Sequence, residues 1–307
     1  MPRVKEDRET PDTLRPYLSH GVDLSWRPGA KDAAGDCPWC GREGKLGVLV
    51  ETGQWRCVVC NEGSGKGGGN AYTFIRRLWD EGRRVMKGIA ADYDALAEDR
   101  RLMSADVLRR WGLVRSVITG DWLLPGHGID GRLKQLYRYA RSRDRMLLMP
   151  TPTLGHQLFG MAGWNPRRPI VWLCEGPWDG MALEELLASA KRHDVGLRPT
   201  GNPDTSLLAE GNVLAVPTCS VFQAPWTGLM ANRTVHLMFD NDHPRPHPKS
   251  GVLQPPAALA GMRRIALMLH QADPPPSSID YLRWGRGDLD HDPTLPHGYD
   301  VRDKVTA

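Results

Sequence analysis

Four acids stand where two apolar runs end. "IVWLCEGPWDG" places Glu175 directly after an apolar stretch and Asp179 shortly beyond it, and "VHLMFDND" ends in Asp240 and Asp242. Successive side chains on a strand alternate, so residues two apart share a face. Carboxylates held that close repel, and one tends to protonate. A cation between them removes the conflict, and hard oxygen donors suit Mg²⁺. Taken singly, Glu175 and Asp179 also suit the start of a helix, where negative charge is favoured. Pro177 is at home in a first helical turn. E-G-x-x-D after one strand and D-x-D after another together point to a divalent-ion cradle.

A second group is built from sulfur. "CPWC" supplies Cys37 and Cys40, and "CVVC" supplies Cys57 and Cys60, with 16 residues between the pairs. Two such knuckles complete a closed tetrahedral site with zinc–sulfur distances of about 2.3 Å, which is structural because no position stays open for a substrate. The intervening "KLGVLVETGQWRC" reads as the hairpin of a zinc ribbon. A piece this small has little core, so its fold should depend on the metal. Trp39, Arg42, Lys45, Trp55 and Arg56 are candidates to stack on and neutralise single-stranded nucleic acid. The same residues also suit packing and a charged surface. Cys174 and Cys219 lie in apolar contexts and read as core.

The elements that must position these groups follow from pattern. "GGGNAYTFIRRLWDEG" has helical spacing at Tyr72, Ile75, Leu78 and Trp79, with Gly82 as a stop. In "SADVLRRWGL", Ser104 is an N-cap and Gly112 a terminator. "DWLLPGHGIDGRLKQLYRYA" reads as strand, turn and strand, with "GIDG" turning. From Pro169 onward strands ("IVWLC", "VLAVPT", "VHLMF", "IDYLRW") alternate with helices ("PWDGMALEELLASAKR", "PPAALAGMRRIALMLHQ"). That alternation predicts an α/β fold with a mostly parallel sheet covered by helices. Ligands collect at the carboxyl ends of strands in such sheets, where the acids stand. Residues 80–94 are charged and glycine-punctuated and read as a hinge.

The chain has 307 residues and a net charge of +4. Its charge is concentrated. Between Arg132 and Arg145 stand six basic residues (Arg132, Lys134, Arg138, Arg141, Arg143, Arg145) and one acid, Asp144, with Tyr137 and Tyr139 interleaved. Such a strip suits a polyanion, as it also suits a solvated loop. The N-terminus has no apolar signal-peptide core. No apolar run of about 18 residues exists, so no membrane span is expected. The expected compartment is a reducing cytoplasm, where paired cysteines read as metal ligands before disulfides. His243 and His247, in the proline-flanked "FDNDHPRPHPKSG", read as exposed loop residues.

"CEGPWDG" and "FDND" resemble the two signature motifs of the TOPRIM domain, shared by bacterial-type primases, topoisomerases, certain nucleases and recombination mediators. "CPWC…WRCVVC" followed by "GGGNAYTFIRRL" resembles the zinc-binding domain of bacterial and phage primases. "LMSADVLRRWGLV", "LLPGHGIDGRLKQLYRYA", "HQLFG" and "YDVRDKV" are similar, in the same order, to later landmarks of those primases. The resemblance implies three parts: a zinc-ribbon template-binding domain at 1–85, the N-terminal part of a primase core at 91–165, and a TOPRIM catalytic domain at 166–307. It implies a DNA primase, a DNA-directed RNA polymerase that makes short primers on single-stranded DNA during replication. Its partners would be template, NTPs, the nascent RNA primer and a separate replicative helicase, in a bacterial or phage-encoded setting. Carried over by motif, Glu175, Asp179, Asp240 and Asp242 hold Mg²⁺ or Mn²⁺, Glu175 as ligand or general base, with Asp300 or Asp303 a weaker match. Lys134, Arg138 and Arg141 would take template and nucleotide phosphates.

The chain departs from that pattern in its four-cysteine ribbon and in the Pro/His-rich insertion after Asp242. No Walker A motif G-x-x-x-x-G-K-[ST] occurs, since "GSGKGGGN" lacks the spacing, so no fused helicase is expected. The rival readings are a TOPRIM nuclease using the same acids, and a non-catalytic zinc/TOPRIM recombination mediator that binds DNA. A topoisomerase would need a nucleophilic tyrosine in a further domain.

Overall fold

The computed structural model describes residues 10–64, 67–142, 145–189, 207–285 and 291–306. Arg143, Asp144 and the expected helix end at 190–192 lie outside the described residues. The fold is mixed α/β and divides into two compact units. The first holds 1–89, 112–126 and 132–156; the second holds 90–111, 127–131 and 157–307.

The first unit opens with α1 (Arg15–Leu18) and a five-stranded antiparallel sheet: β1 (Leu24–Ser25), β2 (Asp32–Gly35), β3 (Leu46–Leu49), β4 (Trp55–Cys57) and β5 (Gly68–Gly69). β3 and β4 form the expected hairpin, with Leu46 opposite Cys57. Two helices follow, α2 (Val58–Ser64) and α3 (Ala71–Val85). Asn70 caps α3 by accepting from the Thr73 amide at 3.2 Å. Phe74, Ile75 and Leu78 are buried along one stripe of α3, as helical spacing requires. Gly82 does not stop this helix. It marks a close approach: a Cβ there would lie 2.7 Å from the Arg115 carbonyl oxygen and from Val114 Cγ2. Residues 80–85 of the expected hinge are therefore helical.

A second antiparallel sheet in this unit runs in the order β6 (Val114–Arg115), β7 (Trp122–His127), β8 (Leu133–Ser142) and β9 (Arg145–Pro150). The turn expected at "GIDG" joins β7 to β8, with Gly131 at φ +71°.

The second unit begins with α4 (Ala91–Asp99) and α5 (Ala105–Arg110). Ser104 caps α5, its hydroxyl accepting from the Asp106 amide at 3.0 Å. The central sheet uses β10 (Ile170–Cys174), β11 (Gly211–Ala215) and β12 (Thr234–Met238), with the small hairpin β13 (Arg245–Pro246) and β14 (Leu253–Gln254) outside it, and β15 (Ser278–Tyr281) at one edge. The order is β11-β10-β12-β15, and every pairing is parallel. Helices α6 (Pro177–Ser189), α7 (Leu207–Glu210), α8 (Thr227–Met230), α9 (Ala257–His270) and α10 (Val301–Thr306) complete the unit. Val171, Leu173, Val235 and Leu237 from the sheet pack with Ile265 and Leu269 of α9 in one apolar core. No helix among the described residues is long and apolar enough to cross a membrane.

Candidate active site and zinc centre

The acids converge because two strands are neighbours in register. Cys174 at the end of β10 pairs with Met238 at the end of β12, so Glu175, one residue past its strand, and Asp240, two past its own, leave the sheet on neighbouring strands. Pro177 then starts α6, and Asp179 falls in its first turn. Gly176 keeps that turn uncrowded: a Cβ there would sit 3.0 Å from Asp179 Oδ2, tighter than an ordinary contact. Asp300 arrives from the start of α10. One carboxylate oxygen from each of Asp179, Asp240 and Asp300 lies within 4.8 Å of the others. Two oxygens on one Mg²⁺, each at about 2.1 Å, can be no more than about 4.2 Å apart, so small side-chain adjustments suffice to share an ion.

The electrostatics fit the same reading. Burial, and then the carboxylates of Asp179 and Glu175, push Asp240 up to about 10. Burial raises Asp179 to about 7 against the pull of Arg302. Glu175 rises to about 6 through burial and the nearby Asp242 charge. Glu175 Oε2 is buried without a hydrogen-bond partner. A group of hard oxygen donors that repel one another, one of them orphaned, suits a divalent cation better than it suits no ligand.

Not every expected acid joins the trio. Asp242 turns to the start of α9, where Oδ2 accepts from the Ala258 amide at 3.0 Å. Its Oδ1 lies 3.4 Å from His297 Nε2. His297 Nδ1 accepts from the His243 amide at 2.9 Å, which leaves its proton on Nε2, facing Asp242. Asp303 caps α10 and pairs with Arg101 at 2.7 Å, so of the two weaker matches Asp300 is the one in the group. His247 is exposed. Cys219 lies in a loop beside the acids, half-buried, and burial together with Glu175 raises its thiol to about 12. Its position at the site was invisible to apolar patterning.

The acids carry a pH signature. In the unfolded chain, aspartates titrate near about 4. In the folded, metal-free protein Asp179 titrates at about 7 and Asp240 at about 10. Between those values the folded state binds protons that the unfolded state has lost, so stability falls as pH rises. Thermal melts of the zinc-loaded protein in Mg²⁺-free buffer should therefore shift downward from about pH 5 to about pH 9, and excess Mg²⁺ should flatten the dependence. A flat or rising profile without Mg²⁺ would contradict the placement of these carboxylates.

The sulfur group is closed. Cys37 Sγ lies 3.7 Å from Cys60 Sγ, and Cys40 Sγ lies 3.7 Å from Cys57 Sγ. A tetrahedron with zinc–sulfur bonds of about 2.3 Å has edges of about 3.8 Å. A disulfide needs about 2.05 Å, so these pairs are not bonded, and all four cysteines are free. The donor set and spacing fit zinc.

The nucleic-acid candidates sort less simply. Trp55 is 2% exposed, and its indole N–H donates to the Asn70 carbonyl and to Thr73 Oγ1, each at 3.1 Å. It packs with Trp39, ring centroids 4.8 Å apart, and cannot stack on a base. Trp39 is half-buried with the Arg77 guanidinium over its ring at 4.1 Å. Tyr137 and Tyr139 are buried, so the interleaved aromatics are core as well. The physical reason is strand alternation: β8 is covered on both faces, and its residues cannot all present one strip. Arg138 points to Asp121 at 3.7 Å. Arg141 is exposed.

Lys134 keeps its expected surroundings and gains others. It lines a cleft of about 230 Å³ with Tyr72, Thr73, Arg76, Arg132 and Leu133. Arg76 and Tyr72 were not legible as partners of Lys134, because only the packing of α3 on β8 brings them together. Tyr72, expected inward from its spacing, is 44% exposed.

Comparison with known proteins adds likenesses. No protein-family model matches the chain, and no curated protein matches it. Among solved structures, the Aquifex aeolicus primase (zinc-binding and RNA polymerase domains) is 13% identical with a TM-score of 0.44, covering 97% of this chain and 80% of that one. The primase fragment of the bacteriophage T7 primase-helicase protein is 13% identical at a TM-score of 0.40, covering 92% and 94%. A DnaG primase catalytic domain bound to ssDNA is 13% identical at 0.47, covering 76% and 74%. At this level of superposition the side chains, not the likeness, carry the functional reading.

Proposed function

We propose that this chain is a DNA primase of TOPRIM type, which makes short RNA primers on single-stranded DNA by metal-dependent nucleotidyl transfer. The observation that carries the reading is the meeting of Asp179, Asp240 and Asp300 at the carboxyl ends of parallel strands, in a chain that also holds a four-cysteine zinc site. The parts proposed are a ribbon at 1–85, the front of the core at 91–165 and the catalytic domain at 166–307, with the hinge that places template confined to residues 86–90, between α3 and α4. Its partners are template, NTPs, the growing primer and a replicative helicase.

In the reaction a ribonucleotide 3′-oxygen bonds to the α-phosphorus of an incoming NTP, the bond to the β-phosphate oxygen breaks, and pyrophosphate leaves. Asp179, Asp240 and Asp300 would hold Mg²⁺ or Mn²⁺, which supplies charge stabilisation at the phosphate. Glu175, raised to about 6 and with one oxygen unpartnered, takes the 3′-hydroxyl proton. Asp242, anchored at α9, holds the β12 loop in place. The four-cysteine ribbon keeps the first unit folded, and the cleft around Lys134 binds template phosphates.

Template affinity supplies one check. Replacing both Arg76 and Lys134 with alanine should lower the slope of log affinity against log salt by roughly 1.4 for single-stranded DNA, two phosphate contacts' worth. An unchanged slope in a salt titration would remove the cleft from the template path. The function itself is tested by supplying single-stranded DNA, labelled NTPs and Mg²⁺ or Mn²⁺. Labelled oligoribonucleotides are expected; nicked DNA alone would favour a nuclease, and binding alone a recombination mediator.

A further inference from the structure

Arg302 enters the acid group from α10. Its Nε lies 2.9 Å from Asp179 Oδ1 and 3.0 Å from Asp300 Oδ2, and its Nη2 also donates to Asp300 Oδ2. Asp300 is held on its other oxygen too. Its Oδ1 accepts from the amides of Arg302 at 2.8 Å and Asp303 at 3.2 Å. Asp303 Oδ2 accepts from the Asp300 amide in return, at 3.3 Å. This is a reciprocal cap on α10, and it fixes the start of the helix that carries the arginine. Asp179 is 6% exposed and Asp300 3%. Two buried carboxylates thus share one guanidinium, whose planar fork of donors suits bridging. Asp240, the third acid, makes no ion pair among the described residues.

We propose that Arg302 is a positioning residue, a built-in cation that holds Asp179 and Asp300 side by side before any divalent ion binds and leaves Asp240 as the acid that recruits the ion. The inference rests on the trio being a divalent-ion site. Arginine does not titrate in the working range, so its charge is permanent. Without it, three buried acids face one another with no resident counter-charge, and the metal must take over the structural duty. The folded state would then depend on metal in a way the wild type does not.

The test uses full-length, zinc-loaded wild type, Arg302→Met and Arg302→Lys, melted in chelator-free buffer without Mg²⁺ and in excess Mg²⁺, with Mn²⁺ binding followed by electron paramagnetic resonance. Without Mg²⁺, Arg302→Met should melt well below wild type. Its Mg²⁺-induced rise should be at least roughly twice that of wild type, because binding to the folded state now relieves a conflict that wild type lacks. Arg302→Lys, which keeps the charge and loses the fork, should fall between them, and it still reports if the methionine variant does not fold. An equal Mg²⁺-induced rise in all three proteins overturns the inference, since a residue that merely packs leaves that increment unchanged. If wild type binds Mn²⁺ while the increments are equal, Arg302 alone is misassigned. If wild type binds no Mn²⁺, the metal-site reading itself fails.

Discussion

Asp240→Ala is expected to abolish primer synthesis, lowering the rate by at least about a thousandfold while leaving zinc content and single-stranded DNA binding near wild type. Charge stabilisation by a bound metal is worth several kcal/mol, and each 1.4 kcal/mol or so is a factor of ten in rate. Asp240 is the acid on which the group's repulsion falls most heavily, raised to about 10 by burial and by Asp179, Glu175, Asp300 and Asp242. Removing it relieves that repulsion, so the variant should be at least as stable as wild type in Mg²⁺-free buffer with zinc retained. Activity and stability should therefore move in opposite directions. A variant that stays active would show that catalysis does not pass through this carboxylate. One that is inactive and unstable would show that the residue is structural. Steady-state labelling and a melt on the same preparation distinguish the cases.

Cys57→Ser is the second large effect. Metal analysis of the wild type should give about one zinc per chain, and the variant should lose it. Cys57 is buried at the end of β4, and its sulfur faces that of Cys40 at 3.7 Å. The sheet around it is short-stranded: β1, β4 and β5 have 2, 3 and 2 residues. Such strands cannot hold themselves, so zinc loss should melt the ribbon, with binding free energy of order 10 kcal/mol or more withdrawn from folding. Increased proteolysis within residues 31–69 after chelation would report this. A ribbon that resists protease without zinc would mean that the aromatic packing of Tyr17, Trp39, Trp55 and Phe74 suffices alone. Those rings do touch, Tyr17 to Phe74 at 4.8 Å and Trp39 to Phe74 at 5.5 Å.

Much of this was legible in the residues. Cysteine spacing located the sulfur cluster, and apolar runs ending in acids located the carboxyl ends of β10 and β12. The need for a hairpin between the two cysteine pairs found the β3–β4 connection, and the turn residues of "GIDG" found that of β7 and β8. What the sequence hid was direction. Asp240 and Asp242 are equivalent in a D-x-D motif, yet Asp240 enters the trio and Asp242 accepts from the first turn of α9, because both stand beyond the end of β12 at Met238, where strand alternation no longer sets which way a side chain points. Asp300 and Asp303 are likewise alike in sequence, and the helix cap separates them. Trp55, Tyr137 and Tyr139 stand beside basic residues, but Trp55 lies on the buried face of β4 against Trp39 and Phe74, and Tyr137 and Tyr139 lie in β8, which is covered on both faces. Arg302 was passed over because a lone arginine among acids near the end of a chain has no pattern; only the fold sets it between Asp179 and Asp300. The cleft of Tyr72, Arg76, Arg132 and Lys134 needed the packing of α3 on β8.

The most direct measurement is template-dependent incorporation of labelled ribonucleotides by the purified wild-type chain, with single-stranded DNA and Mg²⁺ or Mn²⁺, compared with Asp240→Ala. The account predicts short oligoribonucleotides that vanish on RNase treatment, on omission of metal and in the variant. Template that is cut or merely bound, with no ribonucleotide joined under any metal, would contradict it.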